Sequence, residues 1–207
     1  MADNKLAPDS VNALKTAARN YPEYLDLLKF LSVNQPPIRF ANLGEETRGE
    51  YDYNQRYGNT GEIRISDEYL RPGQNRTAPR TLIHETTHAT DRQLDDLYFK
   101  YKDRPLTPEI AQFVEGYKKL RWNAENPNAR VQAPPSENLA RRLDPKWAEA
   151  NARYRATAPE LYGHAVGNMA LPRRDSDAPL HLDPSLATEH FILLDLANRA
   201  QSSLKAK

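Results

Sequence analysis

His84-Glu85-Thr86-Thr87-His88 is a run whose residue types and spacing describe a reaction. On an α-helix, residues four apart share a face, so the two imidazoles can converge on a single metal ion. Glu85 follows the first histidine and projects beside the pair, where its carboxylate can take a proton from a metal-held water. The chain contains no cysteine, which removes disulfides, thiolate metal sites and a cysteine nucleophile together. Any metal must then be held by His, Asp or Glu, and that donor set points to Zn2+.

A catalytic zinc usually has three protein ligands and one position left for water. The motif supplies two. For Asp91, three residues after His88, to bind the same ion, the chain would have to turn out of its helix, normally at a glycine. Ala89-Thr90-Asp91-Arg92-Gln93-Leu94 offers none. Asp91 reads instead as a carboxylate that orients a ligand histidine from behind, or as a solvated helix charge. The third ligand has to come from further along. Glu115, on the exposed side of its helical pattern, and Glu125, just before a proline break, read as solvated charges.

The motif and one later segment resemble the zincin metallopeptidases, specifically the gluzincin branch. In gluzincins a glutamate on a later helix completes the site, often within E-x-x-(small)-x. Glu160-Leu161-Tyr162-Gly163-His164 is similar, with Gly163 as the small residue that lets two helices approach. The resemblance thus implies Glu160 as the third ligand. Another gluzincin group carries H-E-x-x-H-A-x-D, matched by His84 to Asp91, and a ligand glutamate followed by aromatic residues, as in Glu189-His190-Phe191. That group usually has a further acidic residue one turn on, where this chain has Leu193. Glu189 is therefore the alternative third ligand; otherwise it is a surface carboxylate near a helix start, favoured there by the dipole. His164, four residues after Glu160, is either an oxyanion-stabilising catalytic residue, as in several zincins, or a buried structural histidine. Zincins also add the substrate backbone to an edge strand above the cleft, and Gly61-Glu62-Ile63-Arg64-Ile65 is the segment to fill that role, unless it is an interior strand.

What the resemblance implies is a zinc-dependent peptidase acting on a peptide or protein substrate, with Glu85 as general base. The alternative is a catalytically degenerate zincin-fold binding module that acts through protein partners. A third reading makes the motif a coincidence in a helical domain. The resemblance spans only His84 to Asp91 and one later helix.

The elements that must position these residues follow from periodicity. Val11 to Arg19 and Tyr24 to Leu31 have helical spacing, with Asp9 or Ser10 as a cap for the first and Pro22 in the first turn of the second. Ile38 to Phe40, Tyr51 to Tyr53 and Glu62 to Ser66 alternate as strands, with Gly58-Asn59-Thr60-Gly61 as a turn. A helix is predicted over 79–98 and another from the cap Thr107, with Pro108 in its first turn, to about Trp122. Asn126 to Ser136 reads as a loop, and Pro145 to Tyr154, Pro159 to Met169 and Pro184 to about Ser203 as helices. The expected fold is α+β: a single, mainly helical zincin-like domain over 1–207, made of a helical hairpin (1–35), a small N-terminal sheet (36–70), the active-site helix (79–98) and a helical C-terminal part (107–207).

Composition narrows the partners. Lys plus Arg is 29 against 28 for Asp plus Glu, without the basic excess of a nucleic-acid protein. No stretch approaches the ~20 apolar residues of a membrane span, and Met1 to Ser10 has no apolar signal core. A soluble protein without a classical export signal is expected, cytoplasmic or exported by a non-classical, effector-like route. Eleven tyrosines against five phenylalanines suit a cleft for extended chains or amphipathic packing. His181 and His190 carry no motif of their own and read as structural.

Overall fold

The structure, a computed structural model, describes residues 7–44, 47–53, 61–71, 77–125, 131–132, 157–170, 181–182 and 185–205. The helix expected at Pro145 to Tyr154 lies outside them. The described elements are mainly helical with a small three-stranded sheet, an α+β arrangement. The chain divides into two compact units, Met1–Thr90 with Val166–Leu171, and Asp91–Ala165 with Pro172–Lys207. No helix among the described residues is long and apolar enough to cross a membrane.

In the first unit, α1 (Ala7–Ala18) and α2 (Pro22–Phe30) are the two helices expected at the start of the chain. Asp9 and Ser10 fall inside α1, which starts at Ala7, so neither caps it. Pro22 opens α2, where its missing N–H costs nothing. Leu14 and Ala18 of α1, and Leu27 and Leu31 in and just after α2, are buried.

The sheet comprises β1 (Ile38–Ala41), β2 (Gly49–Asp52) and β3 (Glu62–Ser66), in the spatial order β1-β3-β2. β1 runs parallel to β3, with Ile38 opposite Ile63, and β2 runs antiparallel, with Gly49 opposite Ile65. One face therefore carries Ile38, Phe40, Gly49, Tyr51, Ile63 and Ile65, and the two isoleucines of β3 are fully buried. The other face is a charge ladder: Arg39 pairs with Glu62 at 2.8 Å, and Arg64 reaches Asp52 at 2.8 Å and also Glu50. The order corrects the expected edge strand. Glu62 to Ser66 is the central strand, hydrogen-bonded on both sides, so it has no edge to offer a substrate.

The motif helix α3 (Ala78–Tyr101) begins beyond a 3-10 turn at Asp67–Leu70. Pro79 sits in its first turn, and it continues to Tyr101, three residues past the predicted end, before Pro105 excludes further helix. Leu82 and Ile83 are fully buried; truncating either to alanine should cost about 2–5 kcal/mol. The threonines of the motif are buried as well, and they satisfy their hydroxyls within the helix. Thr86 donates to the Leu82 carbonyl at 2.7 Å, Thr87 to Ile83 at 2.9 Å and Thr90 to Thr87 at 2.8 Å. A polar-looking sequence thus supports a buried helix.

In the second unit, α4 (Pro108–Glu125) is capped by Thr107, whose hydroxyl accepts from the Ile110 N–H at 3.2 Å, as the sequence predicts. α4 packs antiparallel on α6 (Ser185–Lys205). The Thr107 and Ser203 hydroxyls bond at 2.8 Å at one end, and Gly116 meets Leu196 further along. α5 (Ala158–Ala170) starts in this unit and ends in the first. The expected loop at Asn126 to Ser136 contains a short strand, β4 (Val131–Gln132), antiparallel to β5 (His181–Leu182).

Candidate metal centre

The two motif histidines stand one turn apart on α3, both half-buried, with their rings perpendicular and their centroids 4.6 Å apart. Their Nε2 atoms face each other at 2.9 Å. Two imidazole nitrogens bound to one tetrahedral zinc at about 2.0–2.1 Å would stand roughly 3.3 Å apart, so a few tenths of an ångström would open the pair around an ion. Glu85 is 5% exposed, with Oε1 4.0 Å from His84 Nε2. His84, Glu85 and His88 thus bring three ligand-type atoms within 4.8 Å of one another, and the donor chemistry suits zinc.

Strand β2 lies against this group. A Cβ on Gly49 would stand 2.5 Å from Thr81 Cγ2 and 2.9 Å from Glu85 Oε1, so only glycine allows the strand its approach to α3. Replacing Gly49 with alanine is expected to displace Glu85 or push β2 outward, at about 1–3 kcal/mol of stability. The melting temperature of Gly49→Ala measures that cost, and an unchanged value would show that Thr81 and Glu85 move aside freely.

In the first unit, the end of α5 also approaches α3. A Cβ on Gly167 would lie 3.2 Å from Arg80 Cγ, 3.4 Å from the Arg80 carbonyl oxygen and 3.8 Å from His84 Cβ. The sequence assigned a close helix approach to Gly163; the contact described here is one turn later, at Gly167.

In the second unit, Glu160 and His164 share one face of α5, with His164 Nε2 3.7 Å from Glu160 Oε2. Glu160 is buried at 5% exposure and His164 is half-buried. Glu189 is half-buried near the start of α6, and no close grouping of ligand-type atoms among the described residues includes it. Its neighbour His190 is fully buried, with its ring 5.2 Å from that of Tyr162. His181 belongs to β5, opposite Gln132. Glu115 is exposed and pairs with Lys118 at 3.5 Å, as expected of a solvated charge.

Asp91 is not a solvated helix charge. It is 2% exposed, and its two carboxylate oxygens each accept a hydrogen bond at 2.8 Å from Arg121 of α4. Arg121 also donates to Asp95 Oδ1 at 2.8 Å and, through Nε, to the Tyr117 hydroxyl at 3.2 Å; that hydroxyl donates in turn to Asp95. Burial alone would lower the Arg121 pKa, but Asp91 and then Asp95 outweigh it and hold the guanidinium firmly charged. Burial, with Asp95 adding to it, pushes the Tyr117 phenol up against the opposing pull of Arg121, so it stays protonated. Sequence reading missed Arg121. Its signal was a pair of matched turns, Asp91 and Asp95 on one helix facing Tyr117 and Arg121 on the next, both spaced by four.

Compared with known proteins, the chain matches no family model, no curated protein and no solved structure.

Proposed function

We propose that this chain is a zinc-dependent peptidase of the zincin type, resembling the gluzincins. The observation that carries the reading is the facing of the His84 and His88 Nε2 atoms at 2.9 Å, with the buried Glu85 carboxylate 4.0 Å from His84. A structural histidine pair does not require a buried carboxylate beside it, whereas hydrolysis does.

Glu160 is our choice of third ligand. It is buried on α5 and occupies the position that the gluzincin resemblance assigns to the ligand glutamate. The pairing of Glu160 with His164 fits a carboxylate held in position by a neighbour.

Zinc, when bound, supplies a more acidic water and a Lewis acid for the scissile carbonyl. Glu85 takes the proton of the attacking water and returns it to the leaving amine. His164 is proposed to stabilise the oxyanion that develops at the carbonyl. The strand role expected for Glu62 to Ser66 passes to the Gly49–Glu50 end of β2, which stands at an end of the sheet and directly beside Glu85. A substrate backbone laid there would reach the base from the side.

Elemental analysis of the purified protein, together with a peptide-library digest, tests this. About one zinc per chain, thermal stabilisation on adding zinc back, and cleavage that a chelator abolishes are expected. No zinc and no stabilisation would leave the motif as coincidence. Bound zinc without cleavage, alongside tight capture of a protein partner, would favour the binding module.

A further inference from the structure

Arg121 is the point at which three helices of the second unit meet. Its guanidinium is held by Asp91 and Asp95 of α3, hydrogen-bonded to Tyr117 of its own helix α4, and lies 5.3 Å from the Tyr117 ring centroid and 5.9 Å from that of Tyr162 on α5. Tyr162 is fully buried, donates its hydroxyl to the Leu120 carbonyl of α4 at 3.2 Å, and packs its ring against His190 of α6. Asp91 follows His88 by three residues, and Tyr162 follows Glu160 by two. The turn after His88 is thus hydrogen-bonded to Arg121, and the turn of α5 carrying Glu160 is hydrogen-bonded to the residue before Arg121 with its Tyr162 ring beside the guanidinium.

We infer that Arg121 is a positioning residue that sets metal affinity, by fixing the turn of α3 after His88 and the turn of α5 carrying Glu160 to the same turn of α4. The inference rests on the zinc reading proposed above. Arginine is suited to this place. Its planar fork meets the Asp91 carboxylate with two bonds while a further nitrogen reaches Tyr117, a set of directions that a lysine ammonium cannot supply. A ligand held a few tenths of an ångström off loses affinity even when every ligand is present, which is why residues behind a metal site matter as much as they do.

The experiment measures zinc affinity by competition with a chromophoric chelator, on the unaltered protein, Arg121→Lys, Tyr162→Phe and Gly116→Ala. Arg121→Lys should weaken zinc binding about 10–100-fold. Tyr162→Phe removes the hydroxyl that bonds Leu120 and should weaken it roughly 2–10-fold, so it keeps the test open if Arg121→Lys fails to fold. Gly116→Ala, whose Cβ would stand 2.6 Å from Leu196 Cδ1, perturbs the packing of α4 on α6 without touching the cluster. It should lower the melting temperature and leave zinc affinity unchanged.

Equal zinc affinity in folded Arg121→Lys and Tyr162→Phe would overturn the inference while leaving the zinc reading intact. A matching loss in Gly116→Ala would also overturn it, by tracing the effect to general destabilisation. Failure of the unaltered protein to bind zinc overturns the zinc reading and the inference together.

Discussion

Glu85→Gln is expected to keep its zinc and lose its hydrolysis. The substitution preserves the shape of the side chain and the buried volume beside His84, so Thr81 and Gly49 keep their neighbours and α3 its packing. It removes the one property the proposed reaction needs, a carboxylate that can accept a proton from water and release it to the amine. A general base of this kind contributes about 10²–10⁴-fold to rate, so the variant should fall by at least that factor at unchanged metal content. The neutral amide also removes a negative charge 4.0 Å from His84 Nε2, so a small drop in zinc affinity is consistent with the reading. Single-turnover cleavage by the zinc-loaded variant is the measurement. Cleavage at the unaltered rate would show that Glu85 is not the base, whatever the ion does.

The motif was legible because its geometry is local. Four residues on a helix fix the His84–His88 separation before any tertiary contact forms, and the structure has their nitrogens facing. Helix starts at Pro22 and Pro108 were legible for the same reason, since proline in a first turn and a threonine cap act within one turn. Strand order was not legible. β1, β2 and β3 all alternate, and nothing in alternation says that the third strand inserts between the first two. The assignment of the substrate edge to Glu62–Ser66 failed on that point alone.

Partners distant in sequence were equally hidden. Asp91 looks like any charge on an amphipathic helix until Arg121, thirty residues on, meets both of its oxygens. Asp91 and Arg121 are both buried, and breaking such a pair from one side typically costs 3–5 kcal/mol, so the contact is costly to lose although the sequence gives it no motif. The threonines of α3 show how polar residues join a core: their hydroxyls turn back onto carbonyls one turn earlier, which satisfies them without water.

The second large effect separates the two candidate third ligands. Glu160→Ala should abolish stoichiometric zinc retention, with a loss in affinity greater than the 10–100-fold that outer-shell changes cause, because a ligand is removed rather than tilted. Glu189→Ala should retain one zinc per chain and cleave as the unaltered protein does. The physical contrast lies in their surroundings. Glu160 is buried, with His164 on the same helical face. Glu189 is only half-buried, and its place near the start of α6 already suits a negative charge through the helix dipole. Elemental analysis of the two variants after dialysis against a weak chelator gives the answer directly. Zinc lost from Glu189→Ala and kept by Glu160→Ala would reverse the assignment and move the proposed site to α6. Zinc kept by both would pass the third position to His164, whose Nε2 lies 3.7 Å from the Glu160 carboxylate and one turn along the same face.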